Sequence, residues 1–135
     1  MNLLGDMSFQ KLQAGVQAAN TRQRVMADNI SNADTPYFKR SEVSFEELLQ
    51  QQMDGDVTPL RGKVTNSRHF QIGPVNSIPD ATVTKDGYSV MNNNMNNVDI
   101  DREMSLMAEN QLRYNTYIQE INERIKMMRT AVEGR

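Results

Sequence analysis

Few residues in this chain have the type and spacing that chemistry requires. His69 is the single histidine among 135 residues, and there is no cysteine. An isolated imidazole, with no thiol and no clustered carboxylates beside it, supplies neither a metal-ligand set nor a nucleophile–base pair. His69 therefore reads as a surface or structural residue. The acidic run Asp99, Asp101 and Glu103 could be read as a divalent-cation site, but it lacks the glycine and the terminal glutamate of an EF-hand loop. It stands where an apolar stripe begins, so a helix cap and first turn account for it better, because carboxylates there meet the positive end of the helix dipole. The acids elsewhere fall on polar helix faces or at caps, and no pair is set to act as the acid and base of glycoside hydrolysis. The expectation is a non-enzyme with no catalytic, metal or cofactor site.

Charge and length narrow the classes further. A formal net charge of -2, with Lys and Arg scattered among acids, argues against a nucleic-acid partner, which calls for a concentrated basic stripe. The start, Met1-Asn2-Leu3-Leu4-Gly5-Asp6, lacks the charged and apolar regions of a cleavable signal peptide. No run approaches the 18 to 20 or so apolar residues that span a bilayer, so direct membrane insertion is not expected.

The elements that must position these residues lie at the two ends. Phe9, Leu12, Val16, Ala19, Gln23, Met26 and Ile30 alternate in steps of three and four. Ile100, Met104, Met107, Gln111, Tyr114, Ile118, Ile121, Ile125, Met128 and Val132 do the same. A narrow stripe of this period is a coiled-coil-like seam, and methionines in it are read first as core. The polar faces carry Glu109 with Arg113 and Glu120 with Arg124 in the favourable i,i+4 order. Pro36 ends the first helix near Ser31 to Ala33, and Asp99 caps the second. Antiparallel packing of the two would bring Gln23 near Gln111, a polar pair able to set register.

Between the helices, Ser44-Phe45-Glu46-Glu47 reads as a capping box with Val43 and Leu48 as its staple, opening a short helix from Phe45 to about Met53. Asp56 to Asn97 holds three of the four prolines and is too polar for a second core. A hairpin fits Val83-Thr84-Lys85 and Tyr88-Ser89-Val90 about an Asp86-Gly87 turn, and Met91 to Asn97 reads as a flexible loop. The fold class is mostly α: an elongated pair of long terminal helices in residues 1–35 and 98–135, with an irregular middle segment, 36–97.

Met26-Ala27-Asp28-Asn29-Ile30-Ser31-Asn32-Ala33-Asp34-Thr35-Pro36 resembles the A-x-N-I-A-N-A-x-T-P-G-Y signature of bacterial flagellar axial proteins, which include rod and hook subunits. Asn97-Val98-Asp99-Ile100-Asp101-Arg102-Glu103-Met104, with Ala108-Glu109-Asn110 and Leu112-Arg113-Tyr114, is similar to proximal rod members of that family. So is Thr65-Asn66-Ser67-Arg68-His69-Phe70. Tyr37-Phe38 stands where the signature has Gly-Tyr, and a bulky residue at a glycine position favours a different exit from the helix. The motif residues are thus Asn29, Ile30, Asn32, Thr35, Pro36, Val98, Asp99, Asp101 and Glu103.

The resemblance implies a structural subunit of the basal body, with its terminal helices stacked about a central channel and its middle segment touching neighbours. It implies as partners further copies of the chain, other rod proteins, the ring adaptor FliE and the flagellar type III export apparatus. It places the protein in the rod, outside the cytoplasmic membrane, and in the periplasm where an outer membrane exists. Phe45 and Leu49 are similar to the Phe-to-apolar motif by which early substrates engage the export gate; helix packing explains the same pair. The seam residues are then assembly residues, and a free monomer would be weakly helical, its ends ordering on polymerisation. A cytoplasmic coiled-coil adaptor or export chaperone is the competing reading.

Overall fold

A computed structural model describes residues 7–53 and 78–134. His69 and the Thr65 to Phe70 segment lie outside the described residues. In chain order the elements are α1 (Met7–Ser31), β1 (Ser41–Ser44), α2 (Glu46–Met53), β2 (Thr82–Lys85) and α3 (Ile100–Glu133). Long helices at both ends and a short one in the middle match the reading of the sequence.

Each long helix ends for a local reason. Asp99 is the N-cap of α3, its carboxylate accepting the Asp101 and Arg102 amides at 3.0 and 3.2 Å. Gly134 closes it in the left-handed conformation, φ 69°. At the end of α1, the amides of Asn32 and Ala33 return to the Asp28, Asn29 and Ile30 carbonyls. The Asn32 side chain also donates to the Asp28 carbonyl.

The helices run antiparallel, and their contact line differs from the expected seam. Arg124 bonds Ser8, Tyr117 lies on Gly15, Asn110 reaches the Ala19 carbonyl and Gln23, and Glu103 bonds Asn29. Facing α1, then, is the heptad column Glu103, Asn110, Tyr117 and Arg124. It replaces the apolar column one residue later, Met104, Gln111, Ile118 and Ile125. On α1, Ser8, Gly15 and Asn29 likewise stand one residue before Phe9, Val16 and Ile30. The other half of the seam stays near the contact: Ala19 and Met26 are buried, and Leu12, Met107, Tyr114, Ile121 and Met128 are half-buried.

The displaced column divides. Phe9, Val16, Gln23, Ile30 and Ile118 are half-buried, whereas Met104, Gln111, Ile125 and Val132 are exposed, as is Ile100 at the start of the other column. The cause is close approach. A Cβ on Gly15 would stand 3.1 Å from the Tyr117 ring, and Ala19, whose carbonyl takes Asn110, is only 1% exposed. Small residues let the backbones come together, and the polar partners then rotate α3 onto them. The expected Gln23–Gln111 pair does not form; Asn110 takes the place opposite Gln23.

The middle segment departs from the reading in two ways. β2 pairs antiparallel with β1, Ser41 opposite Lys85 and Ser44 opposite Thr82, and Tyr88 to Val90 form no strand. The Asp86 carboxylate explains this: it accepts the Tyr88 and Ser89 amides at 3.1 and 3.2 Å and the Ser89 hydroxyl. Those bonds turn the chain away from a hairpin, and they hold the Asp86 pKa below its ordinary value. The run Met91 to Asn97, expected to be a flexible loop, ends in two buried asparagines, Asn96 and Asn97.

The exit from α1 keeps a glycine-like turn without a glycine. Tyr37 sits at φ 61°, its amide bonded to the Asn94 carbonyl at 3.0 Å, and its side chain is exposed. A non-glycine residue in this region carries a steric cost of about 1–2 kcal/mol. Tyr37→Gly is expected to raise stability by about 1 kcal/mol, less the backbone entropy that glycine adds to the unfolded chain. Thermal melting followed by circular dichroism checks it; a lowered midpoint would mean that the tyrosine ring contributes more than the turn costs.

Candidate functional site: a buried polar junction of the two chain ends

The cap at Asp99 sets the phase of α3 so that Glu103, one turn on, points inward. Glu103 is fully buried, with Oε1 2.5 Å from Nε of Arg40 and Oε2 accepting from Asn29 Nδ2 at 3.0 Å. Asn29, also fully buried, does more. Its Nδ2 donates to the Ser41 carbonyl at 2.8 Å and its Oδ1 accepts the Ser41 amide at 3.0 Å. A primary amide has the donor and acceptor of a peptide group, so Asn29 completes the edge of β1 as a neighbouring strand would.

Arg40 joins these parts. It also bonds Glu42 at 2.9 Å, and its own amide donates to Asn97 Oδ1 at 2.6 Å. Burial works against the Arg40 charge, but the hydrogen bonds and fields of Glu103 and Glu42 outweigh it and raise the pKa. Asn97 Nδ2 continues to the Asp86 carbonyl at 3.2 Å and the Ser89 hydroxyl at 2.7 Å. Asn96 Nδ2 donates to the Asn32 and Thr35 carbonyls, both at 2.9 Å, and its Oδ1 accepts the Val98 amide at 2.6 Å. Carbonyls and amides left over at the end of α1 and the start of α3 thus find partners in one asparagine.

A second polar cluster ties α2 to both long helices. The Glu46 carboxylate bonds Arg22 of α1 and, at 3.1 Å, Arg113 of α3; Arg113 also bonds Glu109 at 2.6 Å. Burial alone would raise the Glu46 pKa. Hydrogen bonds from Arg22 and from its own amide, with the charges of Arg22 and Arg113, hold it below the ordinary 4.5. The Arg113 pKa is raised, chiefly by its bond to Glu109. Asn110 is the unfinished member of the region: its Oδ1 is buried without a partner among the described residues.

The motif residues read from the sequence mostly converge here. Asn29, Val98 and Glu103 are buried, Ile30 and Asn32 are half-buried, and Asp99 caps α3. Thr35 lends its carbonyl to Asn96 and its hydroxyl to Asn32. Pro36 and Asp101 are exposed. Phe45, 3% exposed, is core, and Leu49 is half-buried one turn later, its amide on the Phe45 carbonyl. Sequence reasoning missed Arg40, Ser41, Asn96 and Asn97. Arg40 and Ser41 carry no periodic signal, and the asparagine run looks like loop composition. Asn97 did head the stretch similar to rod proteins, but it was read as the end of a loop.

No protein-family profile matches the chain. It is 31% identical to the flagellar basal body rod protein FlgB of Bacillus subtilis over 94% of both chains. It is also 35% identical to FlgB of Borrelia hermsii, covering 87% of this chain and 88% of that one. The chain belongs to the flagellar basal body rod protein FlgB family. FlgB of Borreliella burgdorferi is 40% identical over 69% of this chain and 71% of its own length. The protein is thus a structural subunit of the flagellar basal-body rod. None of the helices described is long and apolar enough to cross a membrane.

Two outcomes follow from the junction. Glu103→Leu removes the buried acceptor of Arg40 Nε and Asn29 Nδ2, leaving them only Glu42 and the Ser41 carbonyl, and is expected to cost about 3–5 kcal/mol, while adding Arg40→Met recovers most of the loss. Urea denaturation of the two variants measures this; a single-variant loss under about 1 kcal/mol would mean that the junction contributes little.

Glu46 sets part of the acid limb. Its pKa is depressed in the folded state, so the unfolded chain binds the proton more readily. Its contribution is complete above the ordinary 4.5 and is lost as pH falls through the lower folded value. Stability of the wild type should fall over that window, and Glu46→Gln should fall less; identical acid limbs would rule out this role.

Proposed function

We propose that this chain builds the proximal rod by packing the outward apolar column of its helices against neighbouring copies and other rod proteins. The observation that carries the reading is that Met104, Ile125 and Val132, with Leu112, stand exposed on α3 in the single chain. Residues 1–35 and 98–135 act together as the axial unit, and Phe9, Val16, Ile30 and Ile118, half-buried at its margin, extend the same surface. Burying each such side chain contributes about 1.5–3 kcal/mol, so contact with neighbours stiffens a helix pair that buries few large apolar residues within the single chain.

The resemblance to axial proteins supports the finer partners. FliE joins the subunit to the membrane ring, and the type III export apparatus passes it out of the cytoplasm unfolded, to a position outside the cytoplasmic membrane. Phe45 is buried in the folded chain, so an export-gate role for Phe45 and Leu49 belongs to the chain before it folds. The protein is a mechanical part and performs no catalysis.

Mass spectrometry of purified basal bodies against the cytoplasm of the same cells tests this. The chain is expected with the rod and ring. Recovery only in the cytoplasm, paired with another flagellar protein, would replace the rod reading by the adaptor.

A further inference from the structure

At the junction end of the molecule an open groove of about 720 Å³ runs between the turn after α1, the Met91 to Asn94 loop and the first turn of α3. Ala33, Met91, Val98 and Ile100 give it apolar walls, and Asp34, Asp99 and Asp101 give it three carboxylates with no cationic residue in the lining. Asp99 is engaged as the cap of α3. Asp34 and Asp101 are exposed and form no ion pair among the described residues.

The far end of α3 has the complementary character. Met127 and Val132 are 63% and 81% exposed there. Lys126 beside them is exposed and forms no ion pair among the described residues, and Arg129 meets Glu133 only at 4.0 Å. From Asp101 to Met127 the helix rises by about 40 Å, so this end cannot reach the groove of its own chain. It can reach that of another.

We propose that the groove is a docking surface for a second copy of this chain, whose α3 end inserts Met127 and Val132 between the apolar walls and sets Lys126 and Arg129 against Asp34 and Asp101. The contact is heterologous, groove to tail, so each copy offers both halves and the pairing propagates in one direction. It rests on the chain being an assembling rod subunit, and it adds which surfaces meet and what holds them.

The absence of cysteine allows a clean test, because introduced thiols are the only ones. In concentrated full-length protein under mild oxidation, the Asp101→Cys, Met127→Cys double variant is expected to give a ladder of dimers, trimers and larger species. Either single variant, or Leu112→Cys combined with Met127→Cys, should give none. The two positions are too far apart within one chain to bridge, so each bond reports a contact between copies. Without cysteines, Lys126→Glu with Arg129→Glu is expected to weaken association about tenfold by sedimentation. Mixing that variant with Asp34→Lys, Asp101→Lys protein should restore it. A protein that sediments as oligomers without the ladder overturns the proposal. So do cross-links only between like positions, or a chain that stays monomeric and uncrosslinked at millimolar concentration. Any of these leaves the rod reading intact, since recovery of the unmodified chain with basal bodies is a separate result.

Discussion

A carboxylate with no exposure to water governs this structure. Glu103 is held where Arg40 and Asn29 can both reach it, and an ionised group so placed is tolerable only when charged and hydrogen-bonding partners surround it. Its requirement therefore sets the rest. Arg40 must be brought in from the segment after α1, Asn29 must face α3, and the amide of Asn29 then holds Ser41. The strand pair and the turn before α3 are fastened through Arg40 and Asn97 to the same point. Removing one partner exposes the cost of the others, which makes the junction cooperative.

The helix pair shows the same preference for fit over apolar bulk. Gly15 and Ala19 let the two backbones approach, and Tyr117 lies on Gly15 with its ring. Polar groups at Ser8, Gln23 and Asn29 meet Arg124, Asn110 and Glu103. Such an interface specifies register sharply because each hydrogen bond works at one offset only, whereas an apolar stripe tolerates sliding. It also leaves methionines and isoleucines on the outer side of α3. In the assembly we propose, direction within the chain comes from polar pairs, and adhesion between chains from the apolar column.

Much of this was legible in the residue order, and for a physical reason. Helix positions follow from apolar spacing and from Pro36 and Asp99, which act within a few residues of themselves, so α1 and α3 were set by local chemistry. The place of the short helix α2 was legible in the same way, although it opens at Glu46 without the expected Ser44–Glu47 capping box. The family signature at Asn29 to Pro36 and at Val98 to Glu103 marked residues that later proved to be neighbours. Rotation of the helices was not legible. A periodic pattern ranks faces by hydrophobicity, but Gly15 and Glu103 turned a less apolar face inward through close approach and a buried ion pair, and neither effect appears in spacing.

By itself, then, the sequence determined where the helices run, that Asp99 caps the last of them and which family the chain resembles, because those depend on short-range preferences and on residues adjacent in the chain. Tertiary structure alone decided that β2 pairs with β1, because the strand it meets, Ser41–Ser44, is distant in the chain. It decided that Asn96 and Asn97 are buried rather than loose, because their amides complete backbone groups that are distant in sequence. It also decided which apolar residues stay outside, because the partners of Asn29 and Glu103 are chosen in space and take up the inner face first.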